Sequence, residues 1–215
     1  MSYTRGLCKY RRLGFLVSLF CSLTLFPGCQ SAGSVPEINN SEKLRDVSPA
    51  VIGRRYVQFV AAQEALEAGR NDIARTLLLK LTSDAPDLSS PWVNLGIAYR
   101  NLGEDENAIR AFERALIGRP GSCEALNQLG ILARETGNFE AAEARYITCL
   151  KSTPDFREVH LNLGILYELY MGKYAAALSE YRSYMAGLDE PDRRVGGWIM
   201  DLERRQSSML ATENY

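Results

Sequence analysis

Two kinds of apolar pattern divide the chain. Residues 13–26 form an apolar stretch relieved only by small or hydroxylated residues such as Gly14, Ser18, Ser22 and Thr24. From about residue 55 the apolar positions recur at helical spacing instead, and the whole pattern repeats. Leu95-Gly96, Leu129-Gly130 and Leu163-Gly164 stand 34 residues apart. Gly69, Gly103 and Gly137 keep the same step, as do Ala74, Ala108 and Ala142, while Pro86, Pro120 and Pro154 close successive units. Three glycine, alanine and proline columns in phase predict a repeat array, in which a unit too small to bury its own apolar face is stabilised by its neighbours.

Residues 89–122 read Trp92-x2-Leu95-Gly96-x2-Tyr99, then Ala108-x3-Phe112-x2-Ala115 and Pro120. This resembles the tetratricopeptide repeat (TPR). The resemblance implies an all-α solenoid of helical hairpins, with small Gly96 and Gly130 where helix A meets helix B. Trp92, Tyr99 and Phe112 then fill the space around them, Gly103 and Gly137 turn the chain, and Pro120 and Pro154 end helix B. Residues 123–156 fit through Leu126, Leu129, Gly130, Ala133, Ala142, Tyr146 and Pro154. Residues 157–190 carry Leu163, Gly164 and Tyr167, after which one extra residue is expected in the turn near Met171, since Gly172, Ala177 and Tyr181 fall one place late. Residues 55–88 keep Gly69, Ala74, Leu78 and Pro86 but hold Gln58, Ala61, Ala62 and Ala65 at signature positions, a degenerate first repeat. Beyond the four repeats, Pro191 can open a helix over 191–206 that places Val195, Trp198, Ile199 and Leu202 on one face, a capping helix followed by a tail at 207–215. Gly196-Gly197 weakens that helix by roughly 1 kcal/mol per glycine.

The N-terminal stretch reads differently. Arg5, Lys9, Arg11 and Arg12 precede the apolar run, and Pro27-Gly28 stops it short of the roughly 20 residues that cross a bilayer, so residues 1–28 are predicted to be a signal peptide. Phe26-Pro27-Gly28-Cys29 resembles a bacterial lipobox, matching at Gly28 and Cys29 and departing at Phe26 and Pro27. The resemblance implies lipidation of Cys29, with anchoring through methylenes worth about 0.8 kcal/mol each. Gln30, in place of an Asp that favours inner-membrane retention, implies the periplasmic face of the outer membrane. The other reading is ordinary cleavage, for instance after Ala32, and a soluble protein. Residues 30 to about 50 are polar and carry no sustained apolar period, which predicts a flexible tether over residues 29–54.

Charge and composition narrow the chemistry. The four basic residues of the leader leave 21 basic against 26 acidic residues in the remainder, which disfavours nucleic-acid binding. A single histidine and no CxxC pair leave little for a metal site, a cofactor or general-base catalysis, and no catalytic residue is assigned. His160 stands where Trp92 and Leu126 stand in earlier units and is expected to pack between helices. Cys123 and Cys149, at the first and twenty-seventh positions of one unit, are a candidate disulfide; alternatively Cys149 replaces the small Ala115 of the preceding unit.

By the TPR resemblance, helix A lines a concave groove through its second, fifth, sixth, ninth and twelfth positions. The groove set is then Asn94, Ile97, Arg100, Asn127, Gln128, Ile131, Arg134, Asn162 and Ile165. Carboxamides offer a donor and an acceptor to an extended peptide whatever its sequence, and Arg100 and Arg134 add charge selection. The Lys and Arg of the carboxylate-clamp type are absent from positions two, five and six. The expected function is a non-enzymatic, monomeric adaptor lipoprotein that binds a protein or an extended peptide segment, with its membrane contact made through the lipid. Similar families include type IV pilus pilotins, which help secretin subunits assemble, the TPR lipoproteins of Tad-type secretion, and small TPR proteins encoded beside TonB-type energy-transduction systems. The run His160-Leu161-Asn162-Leu163-Gly164-Ile165-Leu166-Tyr167-Glu168-Leu169 and the Gly197-Trp198-Ile199 segment resemble the last of these.

Overall fold

The column of small residues sets the architecture. In the computed structural model a Cβ at Gly96 would run into the ring of Phe112 and one at Gly130 into the ring of Tyr146. At Gly164 it would lie 2.5 Å from Tyr181 Cε1. Each glycine therefore holds open the socket for an aromatic ring on the following helix, and those three rings are fully or almost fully buried. In the first unit both partners change size together: Ala62 takes the glycine's place and the smaller Leu78 the ring's, and both are buried. The degenerate repeat thus keeps the packing volume while losing the signature.

The structure describes residues 49–213, within the unit Asp46–Tyr215; the predicted leader, the lipobox with Cys29, and the tether up to residue 48 lie outside the described residues. Helices alternate along the chain in A and B roles: α1 Pro49–Glu67 with α2 Asn71–Asp84, α3 Ser89–Asn101 with α4 Asp105–Gly118, α5 Cys123–Glu135 with α6 Phe139–Ser152, and α7 Arg157–Ile165 with α8 Tyr174–Ala186. Helix α9, Arg193–Glu213, packs on α8. The described residues are all-α, as expected. Helix A to helix B turns are made by Gly69, Gly103, Gly137 and Gly172, all at positive φ between 64° and 79°, where a side chain would be strained. Pro86, Pro120 and Pro154 follow the ends of α2, α4 and α6.

Three boundaries differ from the sequence reading. Helix α1 begins at Pro49, so the last residues assigned to the tether are helical; Pro at the first helical position loses no hydrogen bond there. At the other end Pro191 stays outside the helix, and Asp192 caps it, accepting from the backbone N–H groups of Arg194 at 2.9 Å and Val195 at 3.4 Å. Those bonds, the Arg194 N–H first, lower the Asp192 pKa. The helix then runs through the expected tail to Glu213, with Val195 and Leu202 fully buried beneath it.

The third difference is the extra residue of the fourth unit. It enters the helix rather than the turn: residues Leu166–Tyr170 form a π-helical segment, with Met171 N–H bonded to Leu166 C=O at 3.1 Å. In the first three units the residue after the turn glycine donates to the carbonyl five positions back, as Glu104 does to Tyr99 at 2.9 Å and Asn138 to Ala133 at 2.8 Å. In the fourth, Lys173 reaches Tyr167 at 2.9 Å, six positions back. The wider loop absorbs the insertion, and Tyr167 and Tyr181 stay in phase with the core.

Candidate peptide-binding face

Side chains at the helix A positions of consecutive units meet on one face. Asn162 donates through Nδ2 to Asn127 Oδ1 at 2.9 Å, joining α7 to α5. Arg100, at the end of α3, donates to Gln128 Oε1 and to Glu135 Oε1, both at 2.7 Å and both on α5. Helical spacing would not reveal these bonds, because each joins side chains 28 to 35 residues apart. Part of the carboxamide row is therefore spent on its own neighbours. Asn127 is only 9% exposed and acts as structure as much as surface. Asn94, Gln128 and Asn162 are half-buried, and Gln128 retains its donors. Ile97, Ile131 and Ile165 are also half-buried and pack against the cores between units, so they present an edge rather than a free face.

Arg134 is the repeat counterpart of Arg100, yet its surroundings are not. The positions matching Gln128 and Glu135 are Asn162, already bonded to Asn127, and Leu169, which lies in the π segment and is 67% exposed. Arg134 Nη1 is buried without a hydrogen-bond partner, and so is the hydroxyl of Tyr146, whose ring packs on Gly130 one turn before Arg134. Burial pushes the Tyr146 pKa up to about 12, with the charges of Arg134, Glu135 and Arg100 all felt at the hydroxyl. In the next unit the matching hydroxyl is satisfied: Tyr181 donates to Glu168 at 2.8 Å, and burial with that bond raises its pKa further.

His160 occupies the place expected of it between helices. Its Nε2 lies 2.8 Å from the Pro154 carbonyl, as Trp92 Nε1 donates to the Pro86 carbonyl at 2.9 Å, and its Nδ1 lies 2.6 Å from Glu180. The ring thus lies between two acceptors, one on each nitrogen's side. The sequence reading found the packing role but not Glu180, which lies on the following helix. Cys123 and Cys149 are joined as a disulfide, with their Cα atoms 4.7 Å apart, tying the start of α5 to the end of α6.

Residues 59–122 and 127–187 match the family model described as tetratricopeptide repeat. The chain belongs to the TPR family. Its A helices are thus those of a TPR solenoid, a scaffold for protein–protein interaction. Among solved structures, the chain is similar to one titled as a functional characterisation of pilF from Pseudomonas aeruginosa, with a TM-score of 0.64 at 20% identity over 75% of this chain and 72% of that one. MamA 41-end from Desulfovibrio magneticus RS-1 gives a TM-score of 0.60 at 16% identity, covering 74% and 89%. A tetratricopeptide repeat protein from Parabacteroides merdae gives 0.58 at 22% identity, covering 72% and 60%. These likenesses establish the fold and leave the partner open.

Proposed function

We propose that this TPR protein is a non-enzymatic adaptor that holds an extended segment of a partner protein along the helix A face of units two to four. The reading is supported by half-buried Asn94, Gln128 and Asn162 at one repeat position of α3, α5 and α7, with half-buried Ile97, Ile131 and Ile165 three residues further on in each. Each carboxamide has hydrogen-bonding capacity to offer a peptide backbone, and the aliphatic edge rewards alternate side chains. The basic and apolar leader with Gly28-Cys29 supports placing it as a lipid-anchored protein on the periplasmic side of the outer membrane. The likeness of 160–169 and 197–199 supports service to a TonB-type transport system; assembly of a pilus or secretion machine, or a soluble periplasmic scaffold, is the competing assignment.

The test uses membranes crosslinked with wild type and with a variant combining Asn94→Ala and Gln128→Ala, which spares the Asn127–Asn162 bond. Loss of one crosslinked partner in the variant supports the groove, and an unchanged set of partners contradicts it. Deletion of the gene separates the machines: defective TonB-dependent uptake with intact secretin multimers supports the first, and loss of multimers the second. Cys29→Ser is expected to move the protein from the membrane to the soluble envelope fraction.

A further inference from the structure

The repeat places two arginines at equivalent positions and leaves only one of them satisfied. Arg100 has two anionic or carbonyl acceptors at 2.7 Å; Arg134 has Nη1 buried and unbonded, and the Tyr146 hydroxyl, near enough to feel its charge, is in the same condition. Buried donors without partners are rare in folded proteins because each forfeits its hydration without compensation. Of the charged groups near the Tyr146 hydroxyl, Arg100 and Glu135 are paired with each other, while Arg134 has no ion pair among the described residues. Arg134 therefore lacks both a counter-charge and an acceptor. A carboxylate supplies both, with a second oxygen left for the tyrosine hydroxyl.

We infer that Arg134, together with the nearby Tyr146 hydroxyl, anchors one Asp or Glu side chain of the extended peptide bound along the helix A face. The inference rests on the groove reading given above. Arg134 is half-buried and held by no hydrogen bond among the described residues, so a rotation about its long side chain is enough to bring the guanidinium to an incoming ligand. An internal side chain fits better than a chain terminus. Arg134 sits in the third unit, with groove positions Asn94 and Arg100 on one side and Asn162 and Ile165 on the other, so the peptide continues past the site in both directions.

The experiment offers the full mature protein a library of N-acetylated decapeptides, made both C-amidated and with a free C-terminal carboxylate, in pools that each fix one residue at one position. Wild type is expected to bind pools with Asp or Glu at one internal position about tenfold more tightly than the matching Asn or Gln pools. Arg134→Gln should abolish that preference while keeping the preferences at other positions and the helical circular dichroism. Arg134→Lys should keep part of it, and Tyr146→Phe should weaken it severalfold. Binding without any acidic preference, or a preference that survives Arg134→Gln, overturns the inference and leaves the groove standing. A preference seen only when the pools carry a free C-terminal carboxylate overturns it in favour of a chain terminus. Failure of every pool to bind overturns the groove reading itself, and this inference with it.

Discussion

The junction between the second and third units and the junction between the third and fourth are the same structure carrying different chemistry. Both begin with a helix A that carries arginine at the twelfth position of its unit, and both stack through a glycine that admits a buried ring. At the first, Arg100 closes onto Gln128 and Glu135. At the second, the matching positions hold Asn162 and Leu169, Arg134 Nη1 is buried without a hydrogen bond, and a π segment stands where the first junction has ordinary helix. The comparison teaches that the packing column constrains the backbone, while the side chains on the open face are free to change from one unit to the next. Stability lives in the column that repeats, and selectivity in the positions that do not.

Removing one residue from the end of each helix should separate the two junctions most widely. Deleting Asn101 from α3 should pull Gly103 out of its turn and cost more than about 4 kcal/mol, enough to unfold the array in urea titrations followed by circular dichroism. Deleting Leu169 from the π segment should restore the 34-residue step and cost under about 1 kcal/mol, because ordinary helix can replace the wide turn. Next in size is the staple found only in the third unit. Cys123→Ala with Cys149→Ala opens a loop spanned by residues 26 apart and should lower stability by about 3 kcal/mol, measured against wild type with and without reductant.

Gly96→Ala and Gly130→Ala ought to behave alike, since a Cβ meets a buried ring at both; each should lose about 2 kcal/mol from overpacking. Unequal losses would show that the two junctions differ in packing as well as chemistry. The arginines should separate: Arg100→Ala is expected to cost about 1 kcal/mol, as a partly exposed network does, and Arg134→Ala less than about 0.5. The smallest effect belongs to Tyr146→Phe, which removes an unbonded buried hydroxyl and should leave neutral-pH stability within about 1 kcal/mol of wild type. With its pKa raised to about 12, Tyr146 contributes nothing pH-dependent below pH 10. Above that the unfolded chain ionises first, so stability falls between pH 10 and about 12, and the Phe variant should fall less steeply.

The repeat was legible because glycine and proline are used for reasons that sequence carries directly: a positive φ at Gly103 and Gly137, a missing side chain at Gly96 and Gly130, and helix ends before Pro120 and Pro154. The inserted residue was visible as a shifted column, but its place was not, since turn and π segment give the same spacing. The candidate face was legible as a set of positions only. Which members bond to one another depends on reach across units: Arg100 spans to Glu135, and Asn162, one methylene shorter than Gln128, turns to Asn127 instead. Helix α1 starts early and α9 ends late, since neither end carries the repeat's columns to mark where the helix begins or stops.

The central claim is that a partner lies along the helix A face. A photo-crosslinking amino acid placed in cells at Ile131, and in a second strain at Ile117, a 68% exposed residue on α4, tests it directly. The expected result is one discrete crosslinked species from position 131 that is missing from position 117. The same species from both positions, or from position 117 alone, would contradict the claim and move the partner to the helix B side of the array.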